Sequence, residues 1–262
     1  MDMDAQEYHE TLAALAWHVE LGADEAIGAE AVNRYEEAVK AAVAPKPVAP
    51  IPKDAPQSTP VDAAQISSKI AAHCTDLAAL QAAIEGFEGC ALKRGARTTV
   101  FADGNPNARV MIVGEAPGRD EDIAGKPFIG RSGQLLDKML AAIGLDRMAE
   151  DPAQAVYITN VLPWRPPQNR DPLAAEKTVM KPFLLRHIAL VNPQILLMVG
   201  NLSNQTLLET EQGVTRLRGR WHEVAGIAAL SIFHPAYLLR SPIKKREAWA
   251  DLLMLKTKLE EG

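Results

Sequence analysis

The sequence predicts an α/β fold: a three-layer α/β/α arrangement around a central, mostly parallel four-stranded sheet, with an N-terminal helical appendage. Three observations carry this. Short runs at 110–113, 156–160, 194–199 and 228–232 read as strands, those at 110–113 and 194–199 as fully buried ones. Stretches of helical periodicity separate them, as expected for parallel strands joined by helical crossovers. Upstream of all of them, residues 44–60 hold six prolines in 17 positions, which marks an extended, semi-rigid linker. The chain thus divides into a helical hairpin at 1–43, a proline-rich linker at 44–60 and an α/β domain at 61–262.

In the hairpin, Leu12, Leu15 and Val19, then Ile27, Ala31, Tyr35 and Val39, recur at helical spacing on either side of Gly22. Ten Asp and Glu stand there against Arg34 and Lys40, a local charge of −8. Nothing in it is catalytic in type, and it reads as an interaction module with a protein partner. The domain opens with a helix over 63–84. The segment Phe87-Glu88-Gly89-Cys90-Ala91-Leu92 and a polar turn at Asp103-Gly104-Asn105-Pro106-Asn107 follow.

The strand at 110–113 breaks into Gly114-Glu115-Ala116-Pro117-Gly118, where two glycines and a proline let the backbone turn sharply and approach a ligand. Helical periodicity resumes only at Gln134. The intervening loop of about 20 residues is long enough to be functional rather than a plain connection. It carries Arg119, Asp120, Glu121 and Asp122, then Lys126, Phe128 and Arg131 in a second glycine-rich turn. Gly144 suits a helix C-cap.

The strand at 156–160 ends in the polar loop Pro163-Trp164-Arg165-Pro166-Pro167-Gln168-Asn169-Arg170, after which Asp171-Pro172 suits an N-cap and first helical position. A short helix at 201–209 follows the third strand. Residues 221–224 add a strand candidate. The strand at 228–232 runs into His234-Pro235-Ala236-Tyr237-Leu238-Leu239-Arg240 and an amphipathic helix over 243–259. In a parallel sheet the loops carrying Glu115, Asn160 and His234 converge on the rim where open α/β sheets bind ligands.

Composition narrows the class. Of 262 residues, 47% are hydrophobic and 23% charged, the balance of an ordinary globular protein. No apolar run approaches the roughly 18 residues that span a bilayer, so no membrane partner is expected. An acidic N-terminus without a basic-then-apolar leader indicates the cytoplasm. Cys74 and Cys90 read as free thiols, too few for a four-thiolate metal site. Net charge is −5, yet residues 214–246 carry +6, a polyanion-facing segment.

Taken singly, each motif is an ordinary structural feature. The Walker lysine and the dinucleotide glycine spacing are both absent, which disfavours a nucleotide-binding α/β protein. Taken in order, Gly-Glu-Ala-Pro-Gly, Gly-Lys-Pro-Phe-Ile-Gly-Arg, Thr-Asn-Val with Arg-Pro-Pro-x-Asn-Arg, and His-Pro-Ala-Tyr-Leu-Leu-Arg closely resemble the family 4 uracil-DNA glycosylases from about residue 87 to the C-terminus.

The resemblance implies a monomeric, monofunctional glycosylase that flips deoxyuridine out of DNA and hydrolyses its N-glycosidic bond. It implies that Phe128 stacks on the base, that Asn160 reads its Watson–Crick edge, and that His234 stabilises charge on uracil O2. Gly114, Glu115, Ala116 and Gly118 would lie beside the sugar and the attacking water. Glu115, Glu121 or a backbone carbonyl would hold that water, and Glu121 would also crowd C5 against thymine. Leu238, flanked by Tyr237 and Leu239, would wedge into the minor groove, and Arg131, Arg170, Arg240, Lys244 and Lys245 would contact DNA.

The chain departs from that family at one feature. The four cysteines that hold its iron–sulfur cluster fall at Phe87, Cys90, Trp164 and Met180, so no metal and no cofactor are expected, and those side chains should pack together instead. The alternative of a non-turnover or covalent binder of uracil or abasic DNA is disfavoured, because residues 165–170 carry no added basic, histidine-containing insertion.

Overall fold

The computed structural model describes residues 60–261 together with Thr11. The hairpin at 1–43 and the linker at 44–60 otherwise lie outside the described residues. Four strands form the parallel heart of the sheet: β2 (Val110–Gly114), β3 (Val156–Asn160), β4 (Ile195–Val199) and β6 (Ile227–Ile232). Every residue of the first three is buried, which is why they lack an apolar–polar alternation.

Alternate side chains point to opposite faces. Met111, Val113, Tyr157, Leu196 and Met198 pack against α1 (Pro60–His73), α2 (Leu77–Gly86) and α5 (Ala174–Val191). Val110, Ile112, Val156, Ile158, Leu197, Leu230 and Ile232 pack against Leu136 and Leu140 of α4 (Arg131–Ala141) and Leu252 and Leu255 of α9 (Lys245–Glu261). The result is the expected α/β/α layering.

The sheet has six strands where four were expected, in the order β1-β3-β2-β4-β6-β5. The additions are antiparallel edges. At one edge, β1 (Asp103–Gly104) pairs with β3 in the stretch that reads as a polar turn, because only two residues take part. Gly104 is required there: at φ 95° it sits so close to β3 that a Cβ would lie 2.1 Å from the Val156 carbonyl. At the other edge, β5 (Trp221–Val224) returns on β6 through Ala225 and Gly226, both at positive φ (50° and 81°), as a two-residue hairpin turn requires.

Several helix limits also differ from the sequence reading. The helix expected over 63–84 is two, because Asp76 starts α2 by accepting the Ala79 amide at 2.8 Å. The long loop after β2 contains α3 (Arg119–Ala124), and α4 begins at Arg131 rather than Gln134. Asp171 does not cap α5. That helix starts at Ala174, with the Leu173 amide donating to Glu176 Oε2 at 2.8 Å. The stretch after His234 is not a loop but α8 (Pro235–Arg240), followed by a 3-10 turn, Pro242–Lys244, and then α9. Two short helices, α6 (Asn201–Leu208) and α7 (Val214–Leu217), link β4 to β5.

Between β2 and β4 the chain reverses direction across the sheet: it runs outward from β2 to β3, then returns past β2 to β4. That reversal opens the crevice in which such sheets take ligands, at the strand C-termini. Gly114, Asn160, Gly200 and His234 stand there, each within two residues of a strand end.

Candidate active site at the carboxyl rim of the sheet

A cavity of about 340 Å³ opens at this rim, near the lower end of the roughly 300–1,000 Å³ usual for small-molecule sites. It is lined by Glu115, Ala116, Gly118, Glu121, Phe128, Asn160, Arg170, His234 and Arg240, all expected from sequence. Two of these side chains, Asn160 and Phe128, lie against Gly114. A Cβ there would lie 2.3 Å from Asn160 Oδ1 and 2.4 Å from Phe128 Cε2, so the amide and the ring both close over a bare backbone. The parallel register sets Gly114 opposite Asn160, and the amides of Val161 and Leu162 donate to the carbonyls of Gly114 and Glu115 at 3.0 and 3.1 Å. Asn160 is only 7% exposed, a polar side chain committed to the cavity.

Phe128 is buried with its backbone at φ 53°, the left-handed region that bulky side chains avoid at a cost of about 1–3 kcal/mol. Its ring lies 5.4 Å from that of His234, at 26° between planes. His234 caps α8: the Ala236 amide donates to Nδ1 at 3.1 Å. A nitrogen that accepts carries no proton, so the neutral ring bears its proton on Nε2. Burial pushes the His234 pKa below the ordinary imidazole value; the Glu115 carboxylate pulls it back up and Arg240 opposes that. His234 is therefore a neutral donor at neutral pH.

The Glu115 carboxylate is fixed as well. Its Oε1 accepts the Leu202 amide at 3.0 Å in the first turn of α6. Gly200, at φ 91°, makes room, since a Cβ there would sit 2.4 Å from Oε1 and 3.1 Å from His234 Cβ. Glu121 Oε1 accepts the amides of Ile129 and Gly130 at 3.1 and 3.0 Å, while a Cβ on Gly118 would lie 2.6 Å from Oε2. Glu121 thus holds the Phe128 turn besides lining the cavity.

Leu238 is a correction. It is 1% exposed and packs with Val214, Phe233 and Ala248, because the helical winding of α8 turns it inward, while Leu239 next to it is 40% exposed. Tyr237 is half-buried, its ring 5.1 Å from Phe233. Arg170 forms a pair with the buried Glu176 (2.5 Å), and Lys244 with Glu247 (2.6 Å), so both are engaged within the chain. Arg131 and Lys245 are exposed.

The cavity also takes in Ser132, Pro166, Asn169, Asp171, Pro172 and Ala236. Pro166 and Asn169 belong to the Arg-Pro-Pro-x-Asn-Arg motif, and consecutive left-handed backbone at Gln168 and Asn169 (φ 55° and 53°) shapes that edge.

Residues 101–253, more than half the chain, match the family model described as the uracil DNA glycosylase superfamily. The chain belongs to that superfamily. It is 39% identical over 170 residues to the type-4 uracil-DNA glycosylase of Archaeoglobus fulgidus, covering 62% of this chain and 82% of the relative. It is 35% identical over 187 residues to that of Pyrobaculum aerophilum, covering 68% and 92%. A DNA polymerase of Bacillus phage SP01 is 32% identical over 160 residues, which are 59% of this chain and 17% of the relative.

The four positions that resemblance would give to an iron–sulfur cluster do not fit one. Phe87, Cys90, Trp164 and Met180 are each 4% exposed or less and share one apolar cluster. Phe87 meets Phe183 edge to face at 5.2 Å, and Trp164 Nε1 donates to Thr99 Oγ1 at 3.1 Å. Burial pushes the Cys90 pKa up. The void beside Met180 and Phe183 measures about 10 Å³, barely one water.

Proposed function

We propose that this member of the superfamily hydrolyses the N-glycosidic bond of deoxyuridine in DNA, releasing uracil and leaving an abasic site. The observation that carries the reading is the convergence of Asn160 Oδ1 and the Phe128 ring over the bare backbone of Gly114. A flat heterocycle entering there meets an aromatic face and an amide edge together.

Uracil is buried in the duplex, so the deoxyuridine swings out to reach this cavity. Phe128 stacks on the base. The Asn160 amide offers one acceptor and one donor, matching uracil N3–H and O4; cytosine presents the opposite pattern. Electron density flows onto the base as the glycosidic bond breaks. The His234 Nε2–H meets that charge at O2 while remaining neutral in the ground state, so the interaction strengthens chiefly in the transition state. One such donor contributes about 3 kcal/mol. Glu115, pinned by the Leu202 amide, is the group best placed beside the sugar to hold the attacking water.

Leu239, exposed on α8, is the residue that fills the gap left in the stack. Arg240, Arg131 and Lys245 face phosphate, which supplies most of the affinity and makes it fall with salt. The reading needs no metal or cofactor, and DNA is the only partner the domain requires. A protein partner of the acidic segment 1–43 is a separate proposal.

The test is incubation with a uracil-containing oligonucleotide, then alkali and a denaturing gel. Free uracil and a strand break after alkali are expected. A covalent protein–DNA band without free uracil would replace turnover with capture, and an unchanged oligonucleotide would overturn the reading.

A further inference from the structure

Arg147 lies outside every motif, in the connection between α4 and β3, and it does not line the cavity. It is nevertheless nearly buried, its side chain 8% exposed. Its guanidinium donates from Nη1 to the Pro127 carbonyl at 3.0 Å and from Nη2 to the Phe128 carbonyl at 2.9 Å. Asp137 accepts from Nε at 2.8 Å, and Asp103 lies 3.4 Å from Nη1, which offsets the buried charge.

Across the same turn, Glu121 takes the next two amides, those of Ile129 and Gly130. Gly133 completes the seat, since a Cβ there would fall 1.8 Å from the Phe128 carbonyl oxygen. Peptide groups on both sides of Phe128 are thus tied, the carbonyls to a fork of one sign and the amides to a carboxylate of the other. Between them sits the one aromatic residue with a left-handed backbone among the described residues.

We propose that Arg147 is a positioning residue for base recognition. It fixes the left-handed Phe128 so that the ring is already presented over Gly114 when the base arrives, and it touches neither base nor DNA itself. This rests on the reading above, in which Phe128 stacks on the flipped base. A planar, bidentate donor suits two neighbouring carbonyls in a way that an ammonium does not, and holding the ring before binding avoids the cost of ordering it at that moment.

The test is a double-mutant cycle on single-turnover uracil excision, with Arg147→Met and Phe128→Ala made singly and together. Arg147→Met keeps the bulk of the stem and removes the fork. Loss of base stacking corresponds to roughly 5- to 150-fold, and Phe128→Ala should fall within that range. Arg147→Met should lower the rate about tenfold, Arg147→Lys should recover part of it, and the double variant should be no slower than Phe128→Ala alone.

Affinity for the same oligonucleotide carrying a baseless tetrahydrofuran site should stay within about twofold of the unsubstituted protein, because there is no base to stack. That readout separates positioning from a general loosening of the fold. Multiplying losses in the double variant, or an equal loss of affinity for baseless DNA, would overturn the proposal. Should Arg147→Met not fold, the same cycle is run with Arg147→Lys and the same outcomes decide it. Failure of the unsubstituted protein to release uracil would instead overturn the functional reading, so the two are told apart.

Discussion

Gly114→Ala is the sharpest probe of the site, because one methyl group strikes both side chains proposed to recognise the base at once. The new Cβ would lie 2.3 Å from Asn160 Oδ1 and 2.4 Å from Phe128 Cε2. Ordinary contact begins near 3.4 Å, so each group must retreat by about 1 Å. The backbone itself tolerates alanine, since Gly114 is not among the glycines at positive φ and sits at the end of a regular strand. The penalty therefore falls on function. Losing a stacked base costs about 1–3 kcal/mol, and leaving one polar group of the base unpaired costs a similar amount. Misplacement of about 1 Å in a preorganised site commonly costs around 100-fold. Single-turnover excision should thus fall at least 100-fold, while the thermal midpoint moves by only a few degrees. Gly86→Ala, where a Cβ meets nothing within 4 Å, is the control and should leave excision intact. A Gly114→Ala rate within threefold of the unsubstituted protein would refute the convergence of Asn160 and Phe128 as the recognition element.

Four further outcomes follow from the same geometry. Leu238→Ala should destabilise the fold by about 2–5 kcal/mol and slow single- and double-stranded substrates alike, whereas Leu239→Ala should slow duplex substrate selectively; chemical denaturation and paired excision assays separate the two, and a duplex-selective Leu238→Ala would reverse the assignment. His234→Ala should lower the single-turnover rate about 100-fold or more without unfolding the chain, and retained activity would remove His234 from the chemistry. Trp164→Ala should cost about 3–5 kcal/mol and weaken excision through the loop four residues past Asn160, while the unsubstituted protein should bind no iron and survive chelator; stoichiometric iron and sulfide on analysis would overturn the packed reading. His187 is a buried imidazole whose pKa desolvation pushes down to about 3 and whose Nε2 meets the Tyr157 hydroxyl at 2.9 Å. Unfolding lets it bind a proton below about 6.5, so its contribution is complete above that pH and is lost as pH falls towards 3. Denaturation of His187→Gln should lose part of the acid sensitivity in that window, and an unchanged pH profile would refute the assignment.

The sequence by itself determined the layered α/β class, the strands and the chain order of the site. Runs such as Ile195–Val199 admit no other burial than both faces, and the first residues after parallel strands have only one rim to occupy. The place of Glu115, Asn160 and His234 at that rim was legible for that reason. Tertiary structure alone decided the rest. The edge strand at Asp103–Gly104 exists only because β3 supplies its hydrogen bonds, and two residues leave no periodicity to read. Leu238 and Leu239 are chemically alike, and only the helical winding of α8 after the His234 cap turns one inward and leaves the other outside. Gly114 read as a turn residue, and Gly200 carried no reading at all. Their role is steric, set by Asn160, Phe128 and Glu115 arriving from elsewhere in the chain. Arg147 has no local signal, since its partners are carbonyl groups, identical in every residue; only folding brings two of them to its fork.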